Sequence, residues 1–162
     1  MKLSQPIHQS SRLLAIFTLL FSASACATDF DTILAEKEAP AGVVIEIVSD
    51  EYGLLSELLP VVKQEIKRLR QRFPGLPIAI VSHGTEQFDL TTKNQKQEST
   101  AHQLTRELVT TEEVDVHVCG THAGWYGVTP EDFPDYVDVT TAGPVQINDY
   151  ESMGYELIVL PD

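Results

Sequence analysis

The sequence predicts a three-layer α/β/α domain built on a five-stranded, mainly parallel sheet. Short β-branched apolar runs alternate with helix-period segments along the whole chain, and the connections between runs are too long for hairpins. The runs are continuously apolar instead of alternating, as expected for strands covered on both faces. With 162 residues, 43% of them hydrophobic, the chain holds one domain with a substantial core and not two of ordinary size.

Val43 to Val48 forms the first strand, ending at Ser49-Asp50. A helix follows from Ser56 as N-cap, with Pro60 in its first turn and Leu59, Val62, Ile66, Leu69 and Phe73 at helical spacing. Lys63, Lys67, Arg68, Arg70 and Arg72 occupy much of its remaining surface, which reads as a solvated face or, alternatively, as an anion-docking stripe. Pro74 to Pro77 stops the helix, and Ile78 to Val81 is the second strand, running into Ser82-His83-Gly84. Thr91 to Thr100 carries no apolar side chain and reads as a long loop. Thr100 with Gln103 resembles a capping box, followed by an Ala101, Leu104, Leu108 stripe. Val114 to Val118 is the third strand and leads into Cys119-Gly120. Thr129-Pro130 opens a short helical turn, Tyr136 to Thr140 is the fourth strand, a helix runs from Gly143-Pro144 to Gly154, and Tyr155 to Leu160 is the fifth strand.

Residues 1–27 have the order of a secretory signal: Lys2 and Arg12 without acids, the apolar run Leu13 to Phe21, then small residues. The run is shorter than the about 20 apolar residues of a spanning helix. The expectation is an exported, periplasmic protein. One cut leaves Thr28 first; the other treats Ala23 to Cys26 as a lipobox and leaves a lipid on Cys26, the sole membrane attachment expected. Residues 28–42, polar, acidic and broken by Pro40, read as a linker, leaving residues 43–162 as the folded domain.

Eleven Lys and Arg against twenty-four Asp and Glu leave a formal charge of −13, and the last basic residue is Arg106. Nucleic acid is therefore excluded as a partner. Cys26 and Cys119 are too few for a disulfide framework or a four-cysteine zinc site.

In an open parallel sheet the functional edge is the carboxyl one. The strand-to-helix turns gather His83, Cys119 and His122 there, with Asp50 and Glu51 as the nearest carboxylates. Gly120, Gly124 and Gly127 match neither dinucleotide nor phosphate-loop spacing and have no neighbouring Lys, so no resident cofactor is expected. Cys119 and His122 with His83 would make a three-ligand metal set lacking an obvious fourth ligand. Thiol chemistry has the better physical case. A cysteine between a strand end and a helix start meets backbone N–H groups, and His122 or His83 can accept its proton. A buried, inert Cys119 is the alternative. His117, inside a strand, reads as an interior histidine.

The segment Val114 to Gly120, the following Gly127, and Thr141-Ala142-Gly143-Pro144-Val145-Gln146-Ile147 running to Met153-Gly154-Tyr155 resemble the DsrE/DsrF-like (YchN-like) family over residues 43–160. The resemblance implies a three-layer domain that assembles into homo-oligomers. It also implies that Cys119 matches the cysteine that carries persulfide sulfur in the sulfur-relay members, with sulfur donor and acceptor proteins or small sulfur compounds as partners. Those members work in the cytoplasm, whereas this chain carries an export signal. A periplasmic relative handling sulfur compounds and a binding or interaction module that keeps the fold alone both remain open.

Overall fold

The computed structural model describes residues 28–160, so the expected signal segment, residues 1–27, and with it Cys26 lie outside the described residues. Five strands, β1 (Gly42–Ile47), β2 (Ile78–Ser82), β3 (Asp115–Cys119), β4 (Asp138–Thr140) and β5 (Tyr155–Val159), form one sheet in the order β4-β3-β2-β1-β5. Every pairing is parallel, with Val43 opposite Ile78 and Val44 opposite Leu157. The helices are α1 (Phe30–Leu34), α2 (Leu54–Arg72), α3 (Ser99–Thr110), α4 (Gly120–Trp125) and α5 (Gly143–Ser152).

Chain direction decides which face each helix covers. From β1 to β4 the strands are added in one direction, and right-handed crossovers place α2 and α3 on one face; the step from β4 back past β1 to β5 reverses direction and puts α5 on the other. Alternate strand residues follow this division. Val43, Ile45, Ile47, Ile78 and Ile80 join Leu55, Leu59, Val62, Ile66 and Leu69 of α2 in the larger core. Val44, Ala79 and Val81 point the other way, onto Ile147 and Tyr150 of α5. Burial of each large aliphatic side chain stabilises the fold by about 1.5–3 kcal/mol.

Four local expectations are corrected. Residues 28–42 are not simply a linker: Asp29 caps α1 by accepting the Thr32 N–H at 2.7 Å, Ile33 is fully buried in the larger core, and the Thr28 N–H bonds to the Leu157 carbonyl at 3.0 Å. One buried isoleucine in a polar five-residue helix gives no periodicity to read. Ser56 is not the cap of α2, which starts at Leu54 and so places Pro60 in its second turn. Its cap is remote: the Asp89 carboxylate accepts the N–H groups of Gly53 at 2.8 Å and Leu55 at 3.1 Å. The Thr100–Gln103 capping box does not form, since α3 begins at Ser99 after Glu98. Finally, the connection after β2 is more ordered than a loop, with 3-10 turns at Thr85–Leu90 and Thr92–Asn94, the first of them buried throughout.

The basic face of α2 is largely engaged within the chain. Lys63 pairs with Glu107, Arg68 with Asp31 and Glu65, and Arg70 with the carbonyls of Leu76, Glu112 and Glu113, while Arg72 reaches the Glu36 carbonyl. That favours the surface reading over the anion-docking stripe.

Candidate functional site

The carboxyl ends of all five strands open into one cleft of about 850 Å³. His83 after β2, Cys119 at the end of β3 and His122 in α4 line it together, as their positions in the sequence predicted. Cys119 is both the last residue of β3 and the N-cap of α4; its Sγ accepts the backbone N–H of His122 at 3.3 Å. The Cys119 N–H donates to Gln87 Oε1 at 2.7 Å. Both contacts orient the sulfur on the cleft wall, and the residue is only 4% exposed. A body larger than a small molecule therefore has little of it to touch.

The two histidines are held differently. His83 Nε2 lies 2.7 Å from Glu46 Oε1 in β1, and its side chain lies against Gly143, where a Cβ would overlap it. His122 belongs to an aromatic group, its ring centroid 5.6 Å from Phe88, 5.2 Å from Tyr126 and 5.6 Å from Trp125. Its Nε2 is buried without a hydrogen-bond partner among the described residues. What His122 gives the sulfur is its main-chain N–H. Trp125 and Tyr126 stand exposed at the rim.

Of the two carboxylates expected at the site, Asp50 lines the cleft and Glu51 is exposed. The carboxylate that bonds to a cleft histidine is Glu46, whose signal was a single acid inside the apolar run Val43 to Val48. Glu86 and Asp89 also escaped sequence reasoning. Glu86 is fully buried; its carboxylate accepts the N–H groups of Ser49 at 2.8 Å and Gly84 at 3.0 Å and the Ser82 hydroxyl at 2.7 Å. Burial pushes the Asp89 carboxyl above its ordinary range, against the opposing pull of the Gly53 and Leu55 N–H groups. Two carboxylates thus tie the β1 and β2 turns together from beneath the cleft.

His117 is an interior histidine, with Nε2 2.8 Å from the Tyr150 hydroxyl. Gly127 serves a turn at positive φ, and a Cβ at Gly120 would press on the Thr140 carbonyl. Among the described residues no group of three or more His, Cys, Asp or Glu side chains is placed to hold a metal ion, which weakens the Cys119–His122–His83 metal reading.

No family model matches the chain, and no curated protein matches it. Solved structures do. The protein of unknown function MTH1491 from Methanobacterium thermoautotrophicum superposes with a TM-score of 0.56 at 18% identity, over 73% of this chain and 97% of that one. The ychN protein from E. coli superposes with a TM-score of 0.52 at 17% identity, over 74% of this chain and 98% of that one. Likeness at such low identity speaks to architecture, and together with the all-parallel sheet it establishes that this chain has the DsrE/YchN-like three-layer α/β/α fold.

Proposed function

We propose that the protein carries sulfane sulfur on Cys119, receiving it from a small donor and passing it on. The observation that supports this most is the placement of Cys119 Sγ, which accepts the His122 N–H on the wall of a cleft shared with His83. In the loading step His83 takes the thiol proton and the Cys119 thiolate attacks the outer sulfur of a hydropersulfide, R–S–SH. A bond forms between Sγ and that sulfur, the donor S–S bond breaks, and R–S⁻ leaves with the electron pair and regains the proton from His83. Cys119-SH and R–S–SH thus become Cys119-S–SH and R–SH, without external oxidant or reductant. Glu46 orients His83 for this step.

The 4% exposure of Cys119 favours one competing reading, a binding module with an inert thiol. Intact masses of wild type and Cys119→Ser after treatment with an alkyl hydropersulfide or inorganic polysulfide separate the two. The carrier gains the mass of one sulfur atom, and Cys119→Ser does not. A thiol that neither donor loads, and that alkylates only after unfolding, leaves the binding module.

Two further proposals rest on the sequence. The protein works after export, on the strength of Lys2, Arg12 and the Leu13 to Phe21 run; an intact mass beginning at Thr28, or at a lipidated Cys26, is expected from the envelope fraction, and an uncut Met1 in the cytoplasm refutes it. It also forms homo-oligomers, as the family resemblance implies. Because the α2 charges are largely engaged internally, association is expected to be insensitive to salt, and a monomer at every ionic strength in light scattering rejects the assembly.

A further inference from the structure

We infer that the cleft selects a donor with an aromatic or aliphatic body, an organic hydropersulfide that reacts in its neutral form, against small oxoanions such as thiosulfate; this rests on the sulfur-carrier reading and specifies its substrate class. In parallel α/β sheets the strand-to-helix turns commonly offer backbone N–H groups to anions. Here the chain fills those positions itself. The Glu86 carboxylate takes the N–H groups of Ser49 and Gly84, and the Asp89 carboxylate takes those of Gly53 and Leu55. At the third turn the Thr121 N–H goes to the Thr141 carbonyl at 3.0 Å and the His122 N–H to Cys119 Sγ. Pro144 removes a donor at the start of α5. At the first three turns an oxoanion entering the cleft meets named donors that are already committed, with two buried carboxylates behind them.

The lining agrees with this. Among the described residues it contains Asp50 and no Lys or Arg, and the charge that His83 would bear on protonation is matched by Glu46. Its apolar part comes from Val48, Trp125, Tyr126, Pro144 and Val159, and its volume of about 850 Å³ suits an organic molecule much larger than thiosulfate.

Two measurements on the chain from Thr28, which has Cys119 as its one cysteine, test the inference. In the first, single-turnover sulfur loading of Cys119 is followed by mass for benzyl hydropersulfide and for thiosulfate, each rate divided by that donor's rate with free cysteine. The normalised rate is expected to be at least tenfold higher for benzyl hydropersulfide. Val48→Lys, which places a cation in the lining, should raise the thiosulfate rate at least fivefold, with a gain that falls as salt is added. Normalised rates that are equal, or higher for thiosulfate, overturn the selectivity while leaving the carrier intact. In the second, Cys119→Ser is titrated with unreactive benzyl methyl sulfide and with sulfate; Trp125, the sole tryptophan, reports occupancy by its fluorescence. Saturable quenching by the sulfide and none by sulfate supports the inference even if no donor loads Cys119, in which case only the carrier reading falls. Sulfate binding, or no binding of the sulfide, overturns it.

Discussion

Gln87 Oε1 accepts the backbone N–H of Cys119 at 2.7 Å across 32 positions of sequence, so the turn after β2 sets where the cysteine of β3 sits. Gln87 is wholly buried, and its Nε2 has no partner among the described residues. Gln87→Leu strands the Cys119 N–H but also removes that orphaned amide. A buried group left without its partner costs about 1–3 kcal/mol, and the offset should hold the measured loss near the low end in urea unfolding. Native alkylation of Cys119 should accelerate several-fold as the strand end loosens. An unchanged alkylation rate would show that Gln87 does not position the thiol.

Gly84 and Gly124 should respond oppositely to alanine. A Cβ at Gly84 would collide with the Ser49 carbonyl and with Glu86, whereas the space around Gly124 in α4 is open. Gly84→Ala should cost at least about 1–3 kcal/mol through overpacking. Gly124→Ala should be neutral or stabilising by up to about 1 kcal/mol through helix propensity. Thermal unfolding of the two variants is the check, and a tolerated Gly84→Ala contradicts the tight Ser49–Glu86 junction.

Acid should destabilise the fold through two histidines. Burial holds His102 and His117 below the ordinary imidazole range, against weaker opposing influences that include the Thr91 and Asp89 main chain for His102 and the carboxylates Asp138 and Asp115 for His117. Each neutral ring is also bonded to a tyrosine hydroxyl, His102 to Tyr136 at 2.6 Å and His117 to Tyr150 at 2.8 Å. A depressed folded value means that the unfolded chain protonates first. The contribution is therefore complete above about pH 6.5 and is lost as pH falls through the folded values. The slope in that window should approach about 1.4 kcal/mol per pH unit for each histidine. Urea unfolding from pH 7.5 downward should show it, and the His102→Gln, His117→Gln double variant should flatten it; an equal slope in both proteins rejects the assignment.

Ile33 should behave as a core residue although it lies in the segment that reads as a linker. Ile33→Ala should cost about 2–5 kcal/mol, and Asp29→Ala, which removes the α1 cap, about 0.5–2 kcal/mol. Loss of less than about 0.5 kcal/mol on Ile33→Ala, in a protein that begins at Thr28, would return residues 28–42 to a tether.

The strands, their parallel order of use and the convergence of His83, Cys119 and His122 were legible in the amino-acid sequence for one reason. A buried parallel strand must be an apolar run, and parallel strands send all their carboxyl ends to the same edge, so residues just after such runs meet there. The tertiary structure alone decided what surrounds them. Glu46 finds His83 from 37 positions away, Glu86 reaches Ser49 across 37 and Asp89 reaches Leu55 across 34. The segment Thr85–Leu90 that carries two of these acids is a 3-10 turn buried on all sides, which has no polar–apolar period. Local sequence shows a helix start that lacks its own cap, but not which distant carboxylate supplies it. That choice follows from burial, since a main-chain N–H withdrawn from water needs an acceptor and the fold brings one from wherever the chain passes.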